Sequence, residues 1–154
     1  MESRTLLAEF DKLPGVRVPL QATRAIRLDY GPEAHLGRST TLPAIVGEEY
    51  PALVSDIDED RNEIAGIRLP DVAVPMATYT GWSLRDASIG NPELYIGITG
   101  GLAGWTLPFP ATRAERESAG DPRLSIEERY GSRRDYLERV ETAARALVEE
   151  GYML

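Results

Sequence analysis

Ser83 and His35 are the residues whose types could carry nucleophilic hydrolysis in this 154-residue chain. A serine nucleophile works from a strained turn that lifts its hydroxyl clear of a strand, and glycine on both sides permits that turn. Gly81-Trp82-Ser83-Leu84-Arg85 supplies the first glycine and the serine, but Arg85 stands where the second glycine belongs. The plainer reading is a glycine-containing turn beside a core tryptophan. His35 is the only histidine and hence the only candidate imidazole base. It sits in Gly31-Pro32-Glu33-Ala34-His35-Leu36-Gly37, a turn-rich run in which a surface or half-buried loop histidine is the simpler expectation. Asp56, Asp58 and Asp60 alternate as acids do in a calcium loop. The sixth and twelfth positions there need Gly and a bidentate Glu, and here they hold Arg61 and Ile67, so a solvated turn is expected. Zero Cys and one His exclude thiolate zinc sites, iron–sulfur clusters, a cysteine nucleophile and any multi-histidine site. Gly97, Gly100, Gly101 and Gly104 lack the Lys-Ser/Thr of a phosphate cradle. The expectation is no metal, no cofactor and no catalytic residue.

The elements that must position these residues follow from periodicity and punctuation. Leu6, Leu7, Phe10 and Leu13 predict a short amphipathic helix over 1–13, stopped by Pro14-Gly15. Prolines at 14, 19, 32, 43 and 51 keep the next segment extended, with a strand at Ala25–Tyr30. Leu53, Val54 and Ile57 on one side and Ile64, Ala65 and Ile67 on the other predict a hairpin around Asp58–Asn62. Asp71–Val74, between Pro70 and Pro75, reads as a short extended piece at a sheet edge. Residues 80–110 gather glycines and prolines together with both tryptophans. A loop of that length and apolarity is expected to be ordered against another surface, which makes Trp82, Tyr95, Trp105 and Phe109 the candidates for lining a pocket or an interface. Thr112 with Glu115, Ser125 with Glu128 and Ser132 with Asp135 each set a hydroxyl three residues before a carboxylate, so three helices are expected in the last third. The longest, 133–150, presents Tyr136, Leu137, Val140, Ala143, Ala144, Leu147 and Val148 on one face.

Composition narrows the function classes. With 17 Lys+Arg against 25 Asp+Glu the formal net charge is −8, which offers no electrostatic footprint for nucleic acid. The N-terminal run has no cationic segment followed by an apolar one, and no apolar run approaches the roughly 20 residues of a membrane span. A cytoplasmic location is therefore expected.

Three segments point further. The run from Asp56-Ile57-Asp58-Glu59-Asp60 through to Thr80-Gly81-Trp82, the run Pro108-Phe109-Pro110-Ala111-Thr112-Arg113-Ala114-Glu115-Arg116, and the run Gly120-Asp121-Pro122-Arg123-Leu124-Ser125-Ile126-Glu127-Glu128-Arg129-Tyr130 resemble the C-terminal region of a bacterial family of α/β-hydrolase domain-containing proteins. The similarity extends from about residue 14 to the end. It implies that the nucleophile elbow and the triad histidine lie upstream of the region represented here. That family usually has Asn after the Gly-Trp pair, where this chain has Ser83, and the segment around His35 does not look like its histidine motif. What the resemblance implies is a non-catalytic region that packs against a catalytic hydrolase core and helps to shape its pocket. The alternatives are an independent binding module with an aromatic pocket formed by Trp82, Tyr95, Trp105 and Phe109, and a complete small hydrolase using Ser83 with His35. The expected partner is a catalytic hydrolase chain, or a second copy through residues 80–110. The expected fold is α+β: an extended N-terminal region, a small antiparallel sheet, a long Gly/Pro-rich ordered loop and C-terminal helices. These form a single or partial domain, divided as 14–79 extended and β, 80–110 loop, and 111–154 helical.

Overall fold

The structure is a computed structural model that describes residues 4–18, 24–84, 95–96 and 104–154, with backbone alone at 24, 25, 95 and 96. Its architecture is α+β, built from antiparallel strand pairs and a C-terminal group of helices.

The N-terminal segment departs from the expected α-helix. Arg4–Leu6 forms strand β1, and Leu7–Lys12 continues as a 3-10 helix. Leu7, Phe10 and Leu13 are spaced by three, and a helix of three residues per turn stacks such positions on one line. All three are almost completely buried. With Val18, Ala52 and Trp82 they make the hydrophobic core. Phe10 meets Trp82 edge-on at 4.8 Å, and Trp82 meets Trp105 at 5.4 Å.

Strand β2, Arg24–Asp29, lies where a strand is expected, and pairs with β3, Ile45–Pro51, in an antiparallel ribbon bulged between Ile26 and Leu28. The predicted 53–57/64–67 hairpin does not form as a ladder. Strand β4, Leu53–Ser55, pairs instead with β1, placing Leu6 opposite Leu53 and Arg4 opposite Ser55. Only the single bridge Ile57–Glu63 joins the two predicted arms. The reason is local: the Asp58 carboxylate accepts from the amides of Asp60 and Asn62, so side chain replaces strand as the partner of the turn. Asp71–Val74 is also not extended. Pro70–Ala73 is a single helical turn, α1, with Pro70 at its first position, where a missing N–H costs nothing.

Strand β5, Ala77–Tyr79, and strand β8, Thr106–Pro108, pair antiparallel with Thr78 opposite Leu107. Between them, β6 at Ser83–Leu84 pairs with β7 at Tyr95–Ile96. Most of the predicted 80–110 loop lies outside the described residues. At its far end Gly104 passes so close to Thr80 that a Cβ would come within 1.6 Å of the Thr80 carbonyl oxygen, so only glycine fits.

The helices start where the capping pairs place them. α2, Arg113–Ala119, and α3, Ile126–Arg129, each open with a reciprocal capping box, from Thr112/Glu115 and Ser125/Glu128. Gly120, in the left-handed conformation, ends α2. α4, Arg133–Glu149, starts at Ser132 and packs on α1. Of its predicted apolar face Leu147 is buried, while Leu137 and Val148 remain about half exposed.

Candidate functional site

In the turn at 56–62 the alternating acids Asp56, Asp58 and Asp60 are all committed to partners within the fold. Asp56 accepts from the Thr5 hydroxyl and the Ile57 amide. Asp58 closes its own turn and pairs with Arg68, whose guanidinium also reaches the Val72 carbonyl. Asp60 is held by both terminal nitrogens of Arg129, 69 residues away. Among the described residues no three His, Cys, Asp or Glu side chains are placed to hold a metal ion.

From this turn a buried polar spine runs into the helical region. Asn62, fully buried, gives its Nδ2 to the Ala77 carbonyl at 3.1 Å and takes the Tyr79 amide on its Oδ1 at 2.7 Å. Its amide group thus stands in for a strand along the free edge of β5. Thr78 donates to the Asp60 carbonyl and accepts from Arg123 Nη1 at 2.9 Å. Arg123 is 3% exposed. Its Nε and Nη2 bind the two oxygens of Asp121 at 3.0 and 2.7 Å, and its remaining N–H groups reach the Leu107 and Pro108 carbonyls at the end of β8. A guanidinium tolerates such burial because every donor finds an acceptor. Burial pushes the Asp121 carboxyl up, but the hydrogen bonds and charge of Arg123 outweigh it and hold the group below the usual carboxylate range.

An open cavity of about 480 Å³ is lined from α3, the start of α4 and the residues just before β5 and α2. Met76, Ala111, Ile126, Tyr130 and Tyr136 line it with mainly apolar surface, together with Glu127, Ser132 and Arg133. The wall is well fixed. The Tyr130 hydroxyl donates to the Pro75 carbonyl at 2.7 Å, and its ring meets Tyr136 edge-on at 5.0 Å. The amides of Ile126 and Glu127 donate to the Pro110 and Ala111 carbonyls, locking α3 to the end of β8. Burial raises the Tyr130 phenol above its ordinary value, so it stays a neutral donor.

The aromatic residues singled out from the sequence divide between two places. Trp82 is buried in the core against Phe10, and Trp105 leans on it half-buried. Phe109 is buried at the other end of β8, with the Arg129 guanidinium 4.1 Å and that of Arg123 5.1 Å from its ring centre. Tyr95 contributes its backbone to β7, and its side chain lies outside the described residues. Ser83 lies half-buried in β6 next to Trp82, whereas His35 is exposed on a 3-10 turn, Ala34–Leu36, between β2 and β3.

Sequence reasoning missed Asn62, Thr78, Asp121, Arg123 and Arg129, and the cavity with them. Two signals were available: an Asp-x-Arg pair between Gly120 and Ser125, and the fact that all five residues fall inside the segments 56–82 and 120–130 that carry the family resemblance.

No helix among the described residues is long and apolar enough to cross a membrane. A search of curated proteins finds no match, and neither does a search of solved structures. A family model described as the alpha/beta hydrolase domain matches residues 17–154. With the match covering the turn, the polar spine, the cavity and α1 to α4, the chain belongs to the alpha/beta hydrolase domain family.

Proposed function

We propose that this chain is a non-catalytic C-terminal region of a hydrolase, which docks on a catalytic α/β-hydrolase core and helps to shape its substrate pocket. The observation that carries the reading is the β2–β3 ribbon. Every residue of β3 is exposed, and a two-stranded ribbon standing alone in water is marginally stable. The register puts Leu28 opposite Val46, with Ile26 two residues along on the same side, and these three are 47%, 68% and 50% exposed. Covering them from that half-exposed state is worth about 2–4 kcal/mol in total, a contribution to docking rather than the whole of it. The other side of the ribbon adds Ile45 and Tyr50, both more than half exposed. An apolar surface of this kind, on a chain belonging to a hydrolase family, fits a segment whose counterpart is the catalytic core. The chemistry then belongs to the partner, and the contribution of this chain is shape and position.

The test pairs the 154-residue chain with a protein encoded beside it that carries a Gly-x-Ser-x-Gly elbow and a downstream histidine. A stable complex is expected, lost in the double variant Leu28→Glu/Val46→Glu. The isolated chain is expected to give no turnover of p-nitrophenyl acetate above background. Turnover by the isolated chain that disappears in Ser83→Ala would overturn the reading and place the nucleophile here.

A further inference from the structure

The cavity walled by Met76, Ile126, Tyr130 and Tyr136 has one cation in its lining, Arg133, and one carboxylate, Glu127. Three of the four arginines of α4 have carboxylate partners one turn away: Arg134 with Glu138, Arg139 with Asp135, and Arg145 with Glu141. Arg133 has no ion-pair partner among the described residues, because Arg129 and Leu137 occupy the positions one turn away on either side. It is also the first residue of a 17-residue helix, where a cation opposes the helix dipole. Asp135, the acid in the first turn of α4, is paired with Arg139, so the exposed Arg133 is left as a cation that an anion can pair. The Glu127 carboxylate in the same lining accepts from the Arg113 amide at the start of α2.

Apart from Arg133, Glu127 and Ser132 the lining is apolar or aromatic. The cavity volume of about 480 Å³ falls in the range of small-molecule sites. Met76 is 44% exposed and adaptable, and the part-buried hydrogen bond of the Tyr130 hydroxyl to the Pro75 carbonyl anchors that side of the lining. An apolar body with a single negative charge at one end matches this arrangement. We propose that the cavity binds a monoanionic amphiphile, an aliphatic or aromatic carboxylate, with its apolar part against Met76, Ile126, Tyr130 and Tyr136 and its carboxylate on Arg133. No residue of the β2–β3 ribbon lines the cavity, so this site and the docking of the chain on a core can fail separately.

Isothermal titration of the 154-residue chain with octanoate and with 1-octanol tests the proposal. Octanoate is expected to bind saturably and about fivefold more tightly than the alcohol, the preference an exposed ion pair supplies. Arg133→Gln should remove that preference while leaving octanol binding unchanged, and Arg133→Lys should retain most of it. Ala111→Trp, which fills the cavity from its exposed edge, should abolish binding of both, with far-UV circular dichroism unchanged. The ribbon variant Leu28→Glu/Val46→Glu should bind octanoate as the parent does. Equal affinity for acid and alcohol in the parent chain, a preference that survives Arg133→Gln, or no saturable binding of octanoate at millimolar concentration would each overturn it.

Discussion

Arg123 uses all its side-chain donors inside the fold, on Asp121, Thr78 and the carbonyls of Leu107 and Pro108, and so ties the segment after α2 to both strands of the β5–β8 pair. Deleting one partner of such a buried pair leaves the other charged and dry. Arg123→Met is accordingly expected to destabilise the chain by about 3–5 kcal/mol in urea unfolding. The same change at Arg134, whose side chain is 89% exposed, should cost less than about 0.5 kcal/mol. A comparable loss at the two positions would mean that the spine does not hold the fold. Asn62 shows why these roles escaped the sequence. Its type and neighbours announce a turn residue, and it does sit in a turn. What its side chain does there, replacing a strand on the edge of β5, depends on residues 15 and 17 positions further on.

At the scale of elements, the helix starts are the most legible feature, because a capping box is contained within four residues. Glu128 takes the Ser125 amide and hydroxyl and also Arg116, and these bonds hold its carboxyl down at about 2, against an ordinary 4.5. A depressed folded value means that the contribution of Glu128 is present in full above pH 4.5 and is lost as the pH falls through 2. Carbon-detected NMR titration should therefore find Glu128 still ionised at pH 3, with amide protection in α3 falling only below that. Ser125→Ala should bring the carboxyl back towards its ordinary value and cost about 1–2 kcal/mol at neutral pH. An unshifted Glu128 would show that the box is not closed in solution. The N-terminal segment and the predicted hairpin were less legible. Leu6, Leu7, Phe10 and Leu13 satisfy an α-helical template, yet the run of three-residue steps and the strand partner at Leu53–Ser55 drew the segment into a strand and a 3-10 helix. Strand β4 found its ladder about 50 residues back, a pairing no local pattern announces.

For the whole molecule the decisive property is where apolar surface remains uncovered. Ile26, Leu28, Ile45, Val46 and Tyr50 gather on one ribbon, while Trp82 and Phe109 are buried within the chain itself. An uncovered patch of this kind binds apolar dyes. Anilinonaphthalene sulfonate fluorescence with the folded chain should be strong and should fall severalfold in the triple variant Ile26→Ser/Leu28→Ser/Val46→Ser, with the unfolding midpoint little changed. Unchanged fluorescence in that variant would put the exposed apolar surface elsewhere and remove the ribbon's claim to a partner.

The sequence by itself determined what depends on neighbours along the chain. The α+β class, the strand at 25–30, the three capped helices, the exclusion of thiolate and multi-histidine metal sites, and the family resemblance all rest on residue type and short spacing. Only the tertiary structure decided the rest. It set Asp60 on Arg129, Arg123 between Asp121 and Thr78, Trp82 under Phe10, and Arg133 in the lining of a mainly apolar cavity. The physical reason is common to all four. A buried side chain takes its role from the acceptor, ring or void that packing brings against it, and in this chain those partners lie up to 72 residues away.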